Sequence, residues 1–205
     1  MPPRHSGDAG QAFPIYITVV GGLLFLAFAY FAVGQAAANR NGAQTAADAA
    51  ALAAAQERRD QLAGAWAENL LGPEKWQDIF DGLAEGLTPP CWRAEQLAAS
   101  NDATVLSCDA DGLLRYTVEV QTNRTVGESI VPGTETKKSR ATATAVIESR
   151  CGFELPAVKE DPDPEEKEEL PTLSCKGGVD WELDPEAPKD LLPKPDDLFD
   201  VHLAD

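Results

Sequence analysis

Four cysteines, Cys91, Cys108, Cys151 and Cys175, carry the plainest chemistry in this chain of 205 residues. They are even in number and widely spaced, form no Cys-x-x-Cys and have no histidine beside them. That pattern argues for two disulfides in an oxidising compartment rather than for zinc or a redox dithiol. Of three possible connectivities, pairing between sequence neighbours is expected: Cys91 with Cys108, and Cys151 with Cys175. Closing loops of about 15–25 residues would stabilise the fold by roughly 3 kcal/mol each in the chain-entropy account. Catalytic types are poorly placed. His5 and His202 lie at the two ends, so no imidazole base serves the middle of the chain. Asp109-x-Asp111-Gly112 is a fragment of a calcium loop without the later ligands, and Asn123-Arg-Thr125 is a glycosylation sequon by pattern. Trp66, Trp76 and Trp92 can be read as a ligand-stacking box, but large side chains filling a small core are the commoner cause of such a set. The reading is a protein that is not an enzyme, with no metal, no cofactor and no small-molecule substrate.

Charge narrows the partners further. The formal net charge is -17. Lysine and arginine form no basic patch with interleaved aromatics, which excludes nucleic acid as the expected partner. The same acidity predicts that the mature domain is repelled by anionic lipid headgroups.

All four cysteines follow a long apolar element. Residues 12–38 contain no Asp, Glu, Lys, Arg or His, and a membrane helix needs roughly 20 apolar residues to cross about 30 Å of hydrocarbon. Pro14 sits near the start of this helix, where its missing N–H is tolerated. The basic residues flanking the span are too evenly placed to orient it, so the cysteines and the short leader decide: N-terminus in the cytoplasm, C-terminal domain outside. A removed signal peptide is the alternative, against which the apolar run is longer than an ordinary signal core. A prepilin-type cut after Gly10 is a further possibility, although Ile15 stands where such signals usually carry Glu. Ala32 with Ala36, and Gly34 with Ala38, place small residues four apart near the outer end, where two helices could approach closely.

Beyond the span the chain reads Arg40-x-x-x-Gln44-x-Ala-Ala-Asp48-Ala-Ala-Ala-Leu52-Ala-Ala-Ala55. Ala43, Ala47, Ala51 and Ala55 fall on one i, i+4 row, and Ala46, Ala50 and Ala54 on the next. They form a smooth strip against which a second helix or a sheet can pack; the plainer reading is a stiff alanine stalk. Asp48 is positioned to meet Arg40, Gln44 or a partner helix, or simply to keep the alanine run soluble. The leader Gly10-Gln11-Ala12, the lone apolar span and the Arg40, Gln44, Asp48, Leu52 pattern together resemble the Tad/TadE/TadG-like proteins of Flp-type (tight-adherence) pilus assembly. The resemblance covers about the first third of the chain and marks a helix signature, not catalytic residues. It implies a non-enzymatic bacterial envelope protein whose partners are the lipid bilayer and other pilus-assembly or pilin-like membrane proteins, met by helix packing.

The remainder is read on its own pattern. Leu62, Trp66, Leu70 and Leu71 continue the helix up to Gly72-Pro73, and Trp76, Ile79, Phe80 and Leu83 mark a short second one. From Thr104 the period changes to two. The pattern predicts a hairpin with its turn at 109–112 and a third strand over 139–148. From 156 on, 16 acidic residues and 8 prolines dilute the apolar content below what folding needs, so this part is expected to be extended or disordered. Its two apolar islands, 179–183 and 191–203, would dock on a partner or back on the domain, or be incidental to a spacer. The expected organisation is α+β: a cytoplasmic leader (1–11), a transmembrane helix (12–38), an alanine-rich helix (39–71), a small exported domain with an antiparallel sheet and disulfides (72–155), and an acidic, Pro-rich disordered tail (156–205). The expected role is a single-pass structural or assembly component of a pilus. The rivals are a membrane-tethered binding module with an acidic interaction tail, and a minor pilin-like subunit.

Overall fold

The computed structural model describes residues 12–125, 136–155, 170–184 and 191–204. The leader, the Gly10 cleavage position and the acidic stretch 161–169 lie outside the described residues.

A single helix organises the fold. Helix α1, Ala12–Glu68, runs unbroken for 57 residues, about 85 Å at about 1.5 Å per residue. Helical structure continues through Gly42. The first part touches little: Phe13, Ile15, Leu23, Phe25, Phe31 and Val33 are all exposed around its circumference. An apolar surface on every side of a helix has no solvent-facing stripe, which is the pattern of a segment meant for lipid rather than water. The second part has one buried face, made almost entirely of alanine. It ends where Asn69 Nδ2 caps the carbonyl of Ala65 at 2.8 Å, before Gly72 and Pro73 halt the helical pattern. A turn of 3-10 helix, Pro73–Lys75, leads into α2, Trp76–Phe80, and then α3, Cys91–Ser100.

Strands β1 (Ala103–Ala110), β2 (Arg115–Thr122) and β3 (Arg140–Ser149) form an antiparallel meander. Alternation in β2 turns Tyr116, Val118, Val120 and Thr122 inward, and this face lies on the alanine face of α1. Helix α3 packs beside α1 and against β1. Aromatic rings close the end of the core away from the apolar span. Trp66 and Trp76 have centroids 5.5 Å apart, Trp76 meets Phe153 edge-on at 5.2 Å, and Phe80 reaches Phe199 at 5.5 Å. Of the three tryptophans considered as a stacking box, Trp66 and Trp76 thus fill the core, whereas Trp92 is about half exposed on α3.

The tail departs from its composition. Strand β7 (Phe199–Leu203) follows a short helix α4 (Pro195–Leu198) and pairs antiparallel with β3, completing the order β1-β2-β3-β7. Strands β4 (Cys151–Gly152), β5 (Leu173–Cys175) and β6 (Val179–Trp181) make a second small sheet. The expectation of a disordered tail from 156 onward is therefore corrected for 170–184 and 191–204. The island 191–203 docks back on the domain with Leu198 and Phe199 buried, and from 179–183 Trp181 and Leu183 pack half-buried against the core while Val179 stays exposed; Leu173, outside both islands, is buried as well. Averaged acidity concealed them: a few large side chains with a preformed surface to bind can order a segment that could not fold alone.

Candidate functional site

Function is sought along α1, where the sequence pattern is most specific. Ala43, Ala46, Ala47, Ala50, Ala51, Ala54 and Ala55 are all completely buried. What covers them is the chain's own β2, β3, β7 and α3. Methyl-sized side chains leave room for the larger inward-facing residues of the sheet, Tyr116, Val118, Val120 and Ile147, which are buried on this side. Of the two occupants expected for this strip, a second helix or a sheet, the chain itself supplies both, through its own sheet and α3.

Arg40, Gln44, Asp48 and Leu52 form the adjoining i, i+4 row, along the seam between the buried face and solvent. Gln44 Nε2 donates to Asp48 Oδ1 at 2.7 Å, so of the partners open to Asp48 the helix itself supplies one. Leu52 is half-buried against the core. Arg40 and Gln44, together with Asn41, line an open groove of about 410 Å³ whose other wall is Arg140, Ala141 and Thr142 at the start of β3.

Beside this row lies a residue that the sequence reading passed over. Asn39 Nδ2 donates to the carbonyls of Arg124 and Thr125 at 3.3 and 3.2 Å, and Asn39 Oδ1 accepts from Thr122 Oγ1 at 3.2 Å. Thr122 Oγ1 also accepts from the Ser139 backbone N–H at 3.1 Å. One amide thus clasps the ends of β2 and β3 to the helix at the point where the apolar span finishes. A polar residue immediately after an uncharged run was the available signal. At the far end, Arg58 Nε donates to Tyr116 Oη at 2.8 Å with the guanidinium over the ring, a second pin between α1 and β2.

The cysteines are bonded as Cys91–Cys108 and Cys151–Cys175. The first ties the start of α3 to β1. The second joins residues directly opposite in the β4–β5 pair, closing the loop that holds the most acidic stretch. Asp111 of the calcium-like fragment lies 3.8 Å from Arg115, and among the described residues no group of three potential metal ligands comes together.

A helix long and apolar enough to cross a membrane, continuous with the Arg40 to Leu52 row, is the arrangement that comparison with known proteins picks out. The family model "Putative Flp pilus-assembly TadE/G-like" matches residues 10–57. The TadE/G-like stretch covers under a quarter of the chain. It spans the apolar part of α1 and the buried alanine rows, and stops before the aromatic core. No curated protein and no solved structure matches the chain. The TadE/G-like stretch thus coincides with the part of α1 that carries both the lipid-suited surface and the seat of the domain.

Proposed function

We propose that the chain is a single-pass, non-enzymatic structural component of an Flp-type pilus assembly system. Its leader lies in the cytoplasm and its disulfide-bonded domain outside the membrane. The observation that carries this reading is the coincidence of the TadE/G-like match with a single helix that is apolar on all sides at first and then becomes the core of a folded domain. Since the alanine rows are covered internally, contacts with other membrane proteins fall to the exposed part of α1. There Ala32 and Gly34 with Ala36 and Ala38 permit close helix approach. Two oxidised cysteine pairs support an exterior placement of the domain.

The reading is tested by deleting the gene in its host and scoring surface pili. Full-length protein should restore them, whereas the domain exported behind a cleavable signal, without its apolar helix, should not. Piliation unaffected by the deletion would overturn the assembly role and leave the tethered binding module. A mature protein beginning at Gln11 and present in the filament would replace it with the pilin-like subunit.

A further inference from the structure

The strand ends clasped by Asn39 gather positive charge in an acidic protein. Arg40 lies on α1, Arg124 follows β2, and Lys137, Lys138 and Arg140 lead into β3. The pairing of Gln121 with Arg140, the Thr122–Ser139 bonds and the Asn39 contacts put all five at one end of the domain. That end adjoins the last residues of the apolar span. Arg124 pairs with Asp102 at 2.8 Å and Arg140 lies 3.9 Å from Glu119. Arg40, Lys137 and Lys138 have no hydrogen bond or ion pair among the described residues. Glu128 and Glu135 belong to the intervening segment 126–135, outside the described residues.

We propose that this collar, centred on the groove between Arg40 and Arg140, binds the phosphate groups of anionic lipids in the leaflet from which α1 emerges. The docking fixes the domain against the membrane surface. Distance along the helix supports the occupant. If the apolar span is centred near residue 25, Arg40 lies about 22 Å from the bilayer midplane at about 1.5 Å per residue, beyond a hydrocarbon half-thickness of about 15 Å and among the headgroups. Arginine presents a planar fork suited to phosphate oxygens, and two of them rim the same groove. The net charge of -17 does not forbid this, because at physiological salt the Debye length is about 8 Å and acidic groups farther away are screened. Sequence-level repulsion thus gives way to the placement of charge. The inference rests on the proposed membrane span, not on the pilus role.

The test uses the full chain in lipid nanodiscs, either zwitterionic phosphatidylcholine or the same lipid containing phosphatidylglycerol. Limited trypsin cleavage after Lys137 and Lys138 is measured relative to cleavage after Arg93 on α3 in the same molecules, which cancels effects of the lipid on the protease. Anionic discs should lower that ratio about fivefold, the effect of roughly one cation held near an anionic surface. The ratio should recover in about 1 M salt, where the Debye length is about 3 Å. The double variant Arg40→Gln, Arg140→Gln keeps both lysine cleavage sites and should lose the lipid dependence. A ratio independent of lipid, or a double variant as lipid-dependent as the parent, overturns the proposal. Failure of the chain to enter nanodiscs at all would instead overturn the membrane span itself.

Discussion

Single side chains decide how the long helix is joined to its domain. Asn39 satisfies two carbonyls and one hydroxyl at the junction. Replacing Asn39 with Ala should reduce domain stability by about 1 kcal/mol, the net value of such hydrogen bonds. More tellingly, it should speed amide exchange at 122–125 while leaving that around Tyr116 unchanged; uniform loss of protection would mean that Asn39 supports the fold globally instead of clasping one end. Phe199 presents the opposite case, a residue from an acidic segment that is almost completely buried against Phe80. Truncating it to Ala should cost about 3–5 kcal/mol, the usual range for a large aromatic removed from a core. Chemical denaturation would record this as a lower midpoint, and an effect under about 1 kcal/mol would show that the tail docks without holding the core together. Gly82 is constrained by geometry: its φ is +93°, and an added Cβ would come 2.8 Å from that of Leu113, so even alanine is excluded there on two grounds.

At the level of elements, the alanine rows serve as the seat of a sheet. Ala47→Leu adds volume at a completely buried position, so it should destabilise the domain by about 1–3 kcal/mol through overpacking. Ala36→Leu, on an exposed position of the same helix, should leave the thermal unfolding of the domain unchanged and affect only contacts within the membrane. Equal effects of the two substitutions on unfolding would remove the distinction between seat and stem. The comparison also shows how far the sequence was legible. The apolar span and the period-two strands were readable because each is a repeated local signal, uninterrupted by charge in the first and reinforced by β-branched residues in the second. Helix α3 was missed, since its buried positions are only Ala94 and Ala98, too small to raise an apolar period above that of a loop. Strand β7 carried its signal in Phe199, Val201 and Leu203, but the acids around it masked a three-point alternation. That a strand so remote in sequence pairs with β3 is a tertiary fact that no local pattern encodes. At the site, Arg40, Gln44, Asp48 and Leu52 were visible as a row. Whether the neighbouring alanines faced a partner or the chain itself depended on where the sheet went.

For the molecule as a whole, the order of events along the chain explains why the second disulfide lies where it does. After β3 the polypeptide passes through Cys151, a highly acidic stretch, and Cys175 before it returns as β7 to the edge of the main sheet. The acidic stretch carries too few apolar side chains in its sequence to offset the entropy of closing so long a connection. The cross-link removes much of that cost from the folding transition by restricting the unfolded chain. Replacing Cys151 and Cys175 together with serine should therefore lower stability by roughly 3 kcal/mol, as expected for a loop of this length. The loss should also be spatially ordered. Phe199 would leave the aromatic cluster, β3 would become an edge with unpaired backbone groups, and the protein would gain a site for strand-to-strand association. Amide exchange should accelerate first in 199–203 and along the β3 residues that pair with them, with β1 and β2 protected longer by the Cys91–Cys108 bond and the alanine seat. If β7 stays protected in the double variant while β1 and β2 open first, the return of the chain is held by β7 itself and the disulfide is only a local clip on the β4–β5 pair.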